Sequence, residues 1–207
     1  MKRILFSIAA TLLFSAAVYS QREVQYGFAY SMGFPGSKEF KDFVDKPSFA
    51  GFNFSVINYR TSQLGLGFSI GWNDFYQQDK YTTIQYNDAT TVTGTFRHNI
   101  YFTTVLFNSR YRFLAPERLD AKGFEASVGL DPGLYFMTQR GQVSIYYDEE
   151  TRTLFGLNPS IGGIYRMNNI GIQARARYHI MIDGGSSQFV TVPNYFSVDV
   201  GIVFLEF

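Results

Sequence analysis

The feature that most constrains this chain is alternation with a period of two. Leu64, Leu66, Phe68, Ile70 and Trp72 alternate with Gly65, Gly67, Ser69, Gly71 and Asn73, and Ile172, Ala174, Ala176, Tyr178 and Ile180 alternate with Gln173, Arg175, Arg177 and His179. Successive side chains of a β-strand point to opposite faces, so each stretch reads as a strand with one apolar face and one polar or small face. After Gln21 no apolar stripe is sustained at helical spacing, and no run approaches the roughly 18 apolar residues of a membrane helix. Neither a helical bundle nor a helical membrane protein fits.

Eight segments follow this pattern: 23–33, 48–60, 64–76, 98–113, 123–138, 154–167, 170–182 and 195–207. Each is 11 residues or longer. A tilted membrane-spanning strand needs about 9 to 11 residues, whereas soluble strands centre on about five or six. The connections are tight at 61–63 and 168–169, intermediate at 114–122, and long at 34–47, 77–97, 139–153 and 183–194. Short turns at one end and long loops at the other predict an all-β fold, an eight-stranded antiparallel up-and-down transmembrane β-barrel with both termini at the short-turn end.

In such a barrel the charged phase must face inward. That phase carries Arg110, Arg112, Glu125, Asp131, Arg166, Arg175, Arg177 and Asp199. The opposite phase carries Val24, Tyr26, Phe28 and Tyr30, Phe52 and Phe54, Val105 and Phe107, Leu130 and Leu134, and Val198, Val200, Ile202 and Phe204. Tyr26, Tyr59, Trp72, Tyr101, Tyr111, Tyr165, Tyr178 and Tyr195 fall near strand ends, where amphipathic rings suit the headgroup level. Aromatics at 18% with charged residues at only 17% are then explained without a ligand. Inward glycines leave room for the long arginines.

Lys2 and Arg3 precede an apolar run of eleven, Ile4 to Phe14, and small residues stand at Val18-Tyr19-Ser20. This reads as a secretory signal peptide over 1–20, cleaved near Ser20, with a barrel domain over 21–207. With 18 Lys plus Arg against 17 Asp plus Glu there is no nucleic-acid footprint. Zero Cys excludes a disulfide scaffold, a thiolate metal site and a Cys nucleophile.

Signal, alternating strands, alternating loop lengths and a last segment YFSVDVGIVFLEF resemble the small eight-stranded outer-membrane β-barrel proteins of Gram-negative bacteria, the OmpA/OmpX type and its OmpW-like relatives. The resemblance implies a cell outer membrane location, lipids including lipopolysaccharide as neighbours, and a terminal Phe207 read by the barrel-assembly machinery. Phe207 falls in the inward phase of Asp199 and Gly201, which calls for a bulge near Leu205 or a register one residue different.

Four places carry candidate chemistry. Arg110, Arg112, Arg175 and Arg177 against Glu125, Asp131 and Asp199 read as an ion-pair network filling a narrow lumen, with a gate or substrate path as the alternative. His98 and His179 lie near the far ends of inward phases, but neither has a Ser two positions away, so they read as polar lining and not as a catalytic pair; no metal or cofactor is expected. Pro132 and Pro159 fall at similar heights on adjacent strands five and six, predicting a thinned ladder between them that reads as a register-fixing bulge, with a lateral opening for small hydrophobic molecules as the alternative. Segment 77–97, rich in Thr and Tyr, reads either as a plain mobile loop or as a protruding hairpin whose edge suits an extracellular protein partner. The loop with Phe34, Phe40, Phe43, Lys38, Lys41 and Lys46 is amphipathic enough to fold over the mouth. The functional expectation is a monomeric, non-enzymatic surface or structural barrel with a largely plugged lumen; the alternatives are passage of hydrophobic molecules through the wall and, least favoured, a lipid A-modifying enzyme.

Overall fold

The computed structural model describes residues 23–87, 90–116, 122–143, 146–182, 190 and 192–206. The signal peptide over 1–20 and the assembly signal at Phe207 lie outside the described residues. Eight strands, β1 (Glu23–Pro35), β2 (Ala50–Tyr59), β3 (Leu64–Asn87), β4 (Thr90–Leu114), β5 (Gly123–Val143), β6 (Tyr146–Met167), β7 (Ile170–Ile182) and β8 (Tyr195–Glu206), pair in chain order and close as β1 meets β8. One short helix, α1 (Lys38–Phe43), sits between β1 and β2.

The tight turns are built by local chemistry. Between β2 and β3 the Thr61 hydroxyl accepts the Leu64 amide at 2.9 Å, which closes the chain on itself. Between β6 and β7 Asn168 takes a left-handed φ of 62°, a conformation Asn tolerates better than most residues. The β1–β8 register runs without a shift from Pro35↔Tyr195 to Val24↔Glu206, so no bulge lies near Leu205.

The two phases sort as a membrane barrel requires. Phe28, Phe52, Phe54, Phe68, Ile70, Phe107, Leu130, Phe136, Ile161, Ile172, Val200 and Ile202 are exposed on the outer wall, whereas Glu23, Arg110, Arg112, Glu125, Asp131, Arg166 and Asp199 are buried inside. An apolar exterior around a charged interior is stable only where lipid replaces water outside. Two of the aromatics assigned to the girdle face the other way. Tyr59 and Tyr195 are buried in the lumen, because each shares the phase of its strand's polar residues, Asn53 and Ser55 in one case and Ser197 and Asp199 in the other.

Four strands outrun the barrel. β3 pairs with β4 up to Asn87↔Thr90, β4 with β5 up to Phe96↔Val143, and β5 with β6 up to Val143↔Tyr146. Their outer neighbours stop earlier: β2 reaches β3 only at Asp74, and β7 reaches β6 only at Phe155. The protruding hairpin expected from 77–97 is therefore part of a wider four-stranded blade. The extension of β5 and β6 replaces the loop expected over 139–153, although 144–145 lie outside the described residues.

Candidate functional site

The lumen is layered. At the short-turn end Arg112 Nη2 lies 3.0 Å from Glu23 Oε1 and its Nε 3.1 Å from Glu125 Oε1. Arg166 Nε donates to Glu125 Oε2 at 2.8 Å, and its Nη2 reaches Glu23 as well. The Arg112 guanidinium also stacks 3.7 Å over the Tyr59 ring. One layer higher, Arg110 Nη2 lies 3.1 Å from Asp131 Oδ2, while Arg177 Nε lies 2.7 Å from Asp199 Oδ2 and its Nη2 donates to Asn53 Oδ1 at 2.8 Å. Of the eight inward charges read from the sequence, seven meet an opposite charge and Arg175, among the described residues, does not. Glu23 is the member that the reading missed; its odd phase with Gln25 and Gly27 carried the signal.

Close packing here rests on glycine. A Cβ on Gly129 would fall 2.6 Å from Arg110 Nη1 and 2.8 Å from Ser160 Oγ, the hydroxyl to which that nitrogen donates. Only a residue without a side chain leaves space for the guanidinium at this point of the wall.

Above the charges lies a polar collar and then an apolar plug. The Tyr135 hydroxyl sits 3.1 Å from His179 Nδ1, and His179 Nε2 sits 3.0 Å from Ser197 Oγ. The His–Ser contact is diagonal across β7 and β8, which spacing along one strand does not reveal. Both residues are buried, His179 at 3% and Ser197 at 1% exposure. Phe40, Val44, Phe75, Ile100, Phe102, Leu106, Tyr135, Met137 and Tyr195 then pack together inside the barrel, each with no exposed surface, along with Val190 from the last loop. Phe40 comes from α1, which folds into the mouth while Lys38 and Lys41 stay outside. The Ser37 hydroxyl accepts the Phe40 amide at 3.3 Å and starts the helix. Gly33 admits Phe75, whose ring atom Cζ would lie 2.5 Å from a Cβ there. Gln139 holds Val190 through both backbone groups, at 3.0 and 3.1 Å.

The prolines act elsewhere than expected. Arg112 N–H donates to the Gln63 carbonyl at 2.8 Å, which sets the phase of hydrogen bonding around the wall. Carried through the unshifted registers, this phase aims the nitrogen of Pro132 at β4 and that of Pro159 at β7. The β5–β6 ladder accordingly runs unbroken through Leu130↔Pro159 and Pro132↔Leu157. The breaks fall one strand away on either side, between Leu106↔Gly133 and Arg110↔Gly129, and between Leu157↔Ile180 and Ser160↔Arg177. In the first break Asp131 Oδ1 accepts the Ser109 amide at 3.3 Å, so a carboxylate fills the gap.

The same phase exposes a free strand edge. Arg60 N–H donates to the Leu64 carbonyl at 3.1 Å, so even-numbered β3 residues turn their backbone groups toward β2. The Asp74 carbonyl is capped by the Ser48 hydroxyl. Beyond it β2 is absent, and among the described residues the N–H and C=O of Tyr76 and Gln78 have no backbone partner. The opposite edge of the blade carries Asp148, Glu149, Glu150 and Arg152, charges that discourage pairing. Residues 75–78 carry none.

His98 stands at the base of the blade, opposite Gln77 and five residues beyond the Trp72↔Thr103 pair. Its Nε2 lies 3.2 Å from Asp79 Oδ2, and its ring meets Phe43 edge-on at 4.7 Å. Burial lowers its pKa below the ordinary imidazole value, and the Asp79 carboxylate opposes that shift.

No protein-family model matches the chain, and no curated protein matches it. Solved structures do. Neisserial surface protein A, from Neisseria, superposes with a TM-score of 0.50 at 14% identity over 88% of this chain and 94% of that one. Ail, the attachment invasion locus protein of Yersinia pestis, gives 0.49 at 12% identity over 89% and 97%. The N-terminal β-barrel domain of Pseudomonas aeruginosa OprF gives 0.45 at 14% identity over 90% and 98%. The likeness to the Neisserial protein, together with the apolar outer wall and charged bore, makes this chain an eight-stranded antiparallel transmembrane β-barrel of the outer-membrane type.

Proposed function

We propose that the chain is a non-enzymatic surface protein of the outer membrane, in which a sealed barrel anchors an interaction blade. The free backbone edge of β3 at Tyr76 and Gln78 carries this reading. An uncapped edge of uncharged residues above the membrane suits an extended segment of another protein, added as a further strand. The two sealing layers support an anchor over a pore, and the enclosure of His179 and Ser197 supports a non-enzymatic role. Lipids including lipopolysaccharide would contact the apolar wall, and the barrel-assembly machinery would insert it.

The test uses prolines placed where only the free edge loses donors. Tyr76→Pro with Gln78→Pro leaves the β3–β4 hydrogen bonds intact, because those fall on odd-numbered residues. Cells displaying this variant are expected to lose adhesion to protein-coated surfaces and to one another, with heat-modifiable migration of the barrel unchanged. Adhesion equal to that of the unaltered chain would contradict the reading.

A further inference from the structure

We propose that the lumen is a binding site for a small monovalent anion of the chloride class, held against Arg175. Among the described residues the buried lumen contains five arginines, at 110, 112, 166, 175 and 177, and four carboxylates, Glu23, Glu125, Asp131 and Asp199. Every carboxylate is already engaged: Glu23 and Glu125 by Arg112 and Arg166, Asp131 by Arg110, and Asp199 by Arg177. Arg175 is the surplus. Its Cα partner on β8 is Asp199, but that carboxylate is drawn to Arg177 Nε at 2.7 Å. Arg175 Nη1 is buried without a hydrogen-bond acceptor. Protonation of His179 would enlarge the surplus.

An arginine stays charged at any physiological pH, so it cannot escape burial by losing its proton. An unpaired buried charge is among the costliest groups a fold can hold, and a bound counterion removes the cost. Part of the surface of Arg175 and of two other inward residues is left uncovered by protein. The layer of Arg112, Glu125 and Arg166 is packed to 0–1% exposure, whereas Ser55, Gln173 and Arg175 keep 8%, 9% and 7%. Water can reach each of these three, whereas it hardly touches the ion layer below. Ser55 and Gln173, whose polar ends converge over Gly27 and of which Gln173 is the next inward residue of β7, offer a hydroxyl and an amide able to donate to an anion, and every described lumen carboxylate is already paired with an arginine. A halide, the most compact acceptor, suits this donor set; a larger oxyanion would meet the Arg177–Asp199 pair above and the closed ion layer below.

The experiment measures thermal unfolding of the purified full-length barrel in lipid nanodiscs. Chloride is titrated against gluconate, which is too large to fit between the layers around Arg175, at constant ionic strength. The unaltered protein is expected to show a midpoint that rises with chloride, by about 3–6 °C at tenfold excess over the dissociation constant. Arg175→Met, which removes the charge and keeps most of the volume, is expected to abolish the rise. Asp199→Asn, which adds to the surplus, is expected to shift the response to severalfold lower chloride and keeps the test available should Arg175→Met fail to fold. Bromide soaked into crystals should give an anomalous peak beside Arg175. A midpoint independent of chloride, or an equal chloride response in the unaltered and Arg175→Met proteins, overturns the site; in either case the arginine is satisfied by water.

Discussion

Tyr195 lies flat on His179, ring centroids 3.9 Å apart and planes 9° from parallel, so a single stacked pair joins the apolar plug to the polar collar beneath it. The Tyr195 ring continues upward to Phe102 at 5.1 Å and Phe75 at 5.3 Å. Its hydroxyl is buried with no hydrogen-bond partner among the described residues. The stack therefore stabilises and the hydroxyl does not. Tyr195→Phe is expected to leave stability unchanged or raise it, whereas Tyr135→Phe, which removes a hydroxyl bonded to His179 at 3.1 Å, should cost roughly 1 kcal/mol. Urea unfolding in lipid checks both; equal losses would show that the Tyr195 hydroxyl is in fact satisfied.

Glu125 is the hinge of the lower ion layer, since it meets Arg112 at 3.1 Å and Arg166 at 2.8 Å. Glu125→Ala leaves two buried guanidinium groups short of an acceptor and is expected to destabilise by about 3–5 kcal/mol. Glu149→Ala breaks an ion pair with Arg140 that is open to solvent and should cost at most about 1 kcal/mol. The same unfolding measurement on both variants tests the contrast.

The base of the blade should weaken in acid. Burial holds the His98 pKa below 6.5 in the folded chain, so the unfolded chain takes up the proton first. Stability from this site is complete above the unfolded value and falls as pH drops from there toward the lowered folded value. Hydrogen exchange of the β3 and β4 amides near Gln77 and His98 should accelerate over that window, and His98→Gln should flatten the dependence. An unchanged pH profile in His98→Gln would assign the effect to another group.

Restoring a donor at the two ladder breaks should strengthen the wall. Pro132→Val returns an N–H aimed at β4 and Pro159→Val one aimed at β7. Each is expected to add about 1 kcal/mol to stability and to slow exchange of amides flanking its own break. Slower exchange confined to the β5–β6 ladder would contradict this hydrogen-bond phase.

Strand number, order, phase and the tight turns were legible in the sequence because a period of two and an inverted polarity are local signals. The outward residues, from Tyr26 and Phe28 to Ile202 and Phe204, fall on the lipid face as their phase dictates. What was hidden depends on pairing across strands. Tyr59 and Tyr195 carry the inward phase of Asn53, Ser55, Ser197 and Asp199, and only their position near strand ends made them look like girdle residues. The plug gathers Phe40, Phe75, Phe102, Tyr135 and Tyr195 from four strands and a helix, and the Ser197 partner of His179 comes from the neighbouring strand. The direction of a proline's missing donor requires the ladder phase, which only the fold supplies.

The proposed anchor rests on two layers that cross the bore, the apolar cluster around Phe40 and the ion layer around Glu125. Single-channel recording of the purified protein in planar bilayers at high salt is the most direct test of whether they close it. The unaltered protein is expected to give no unitary current. Phe40→Ala alone, or Glu125→Ala alone, should also stay silent because the other layer remains, and the double variant should conduct. Unitary steps from the unaltered protein, or from either single variant, would contradict a doubly sealed anchor.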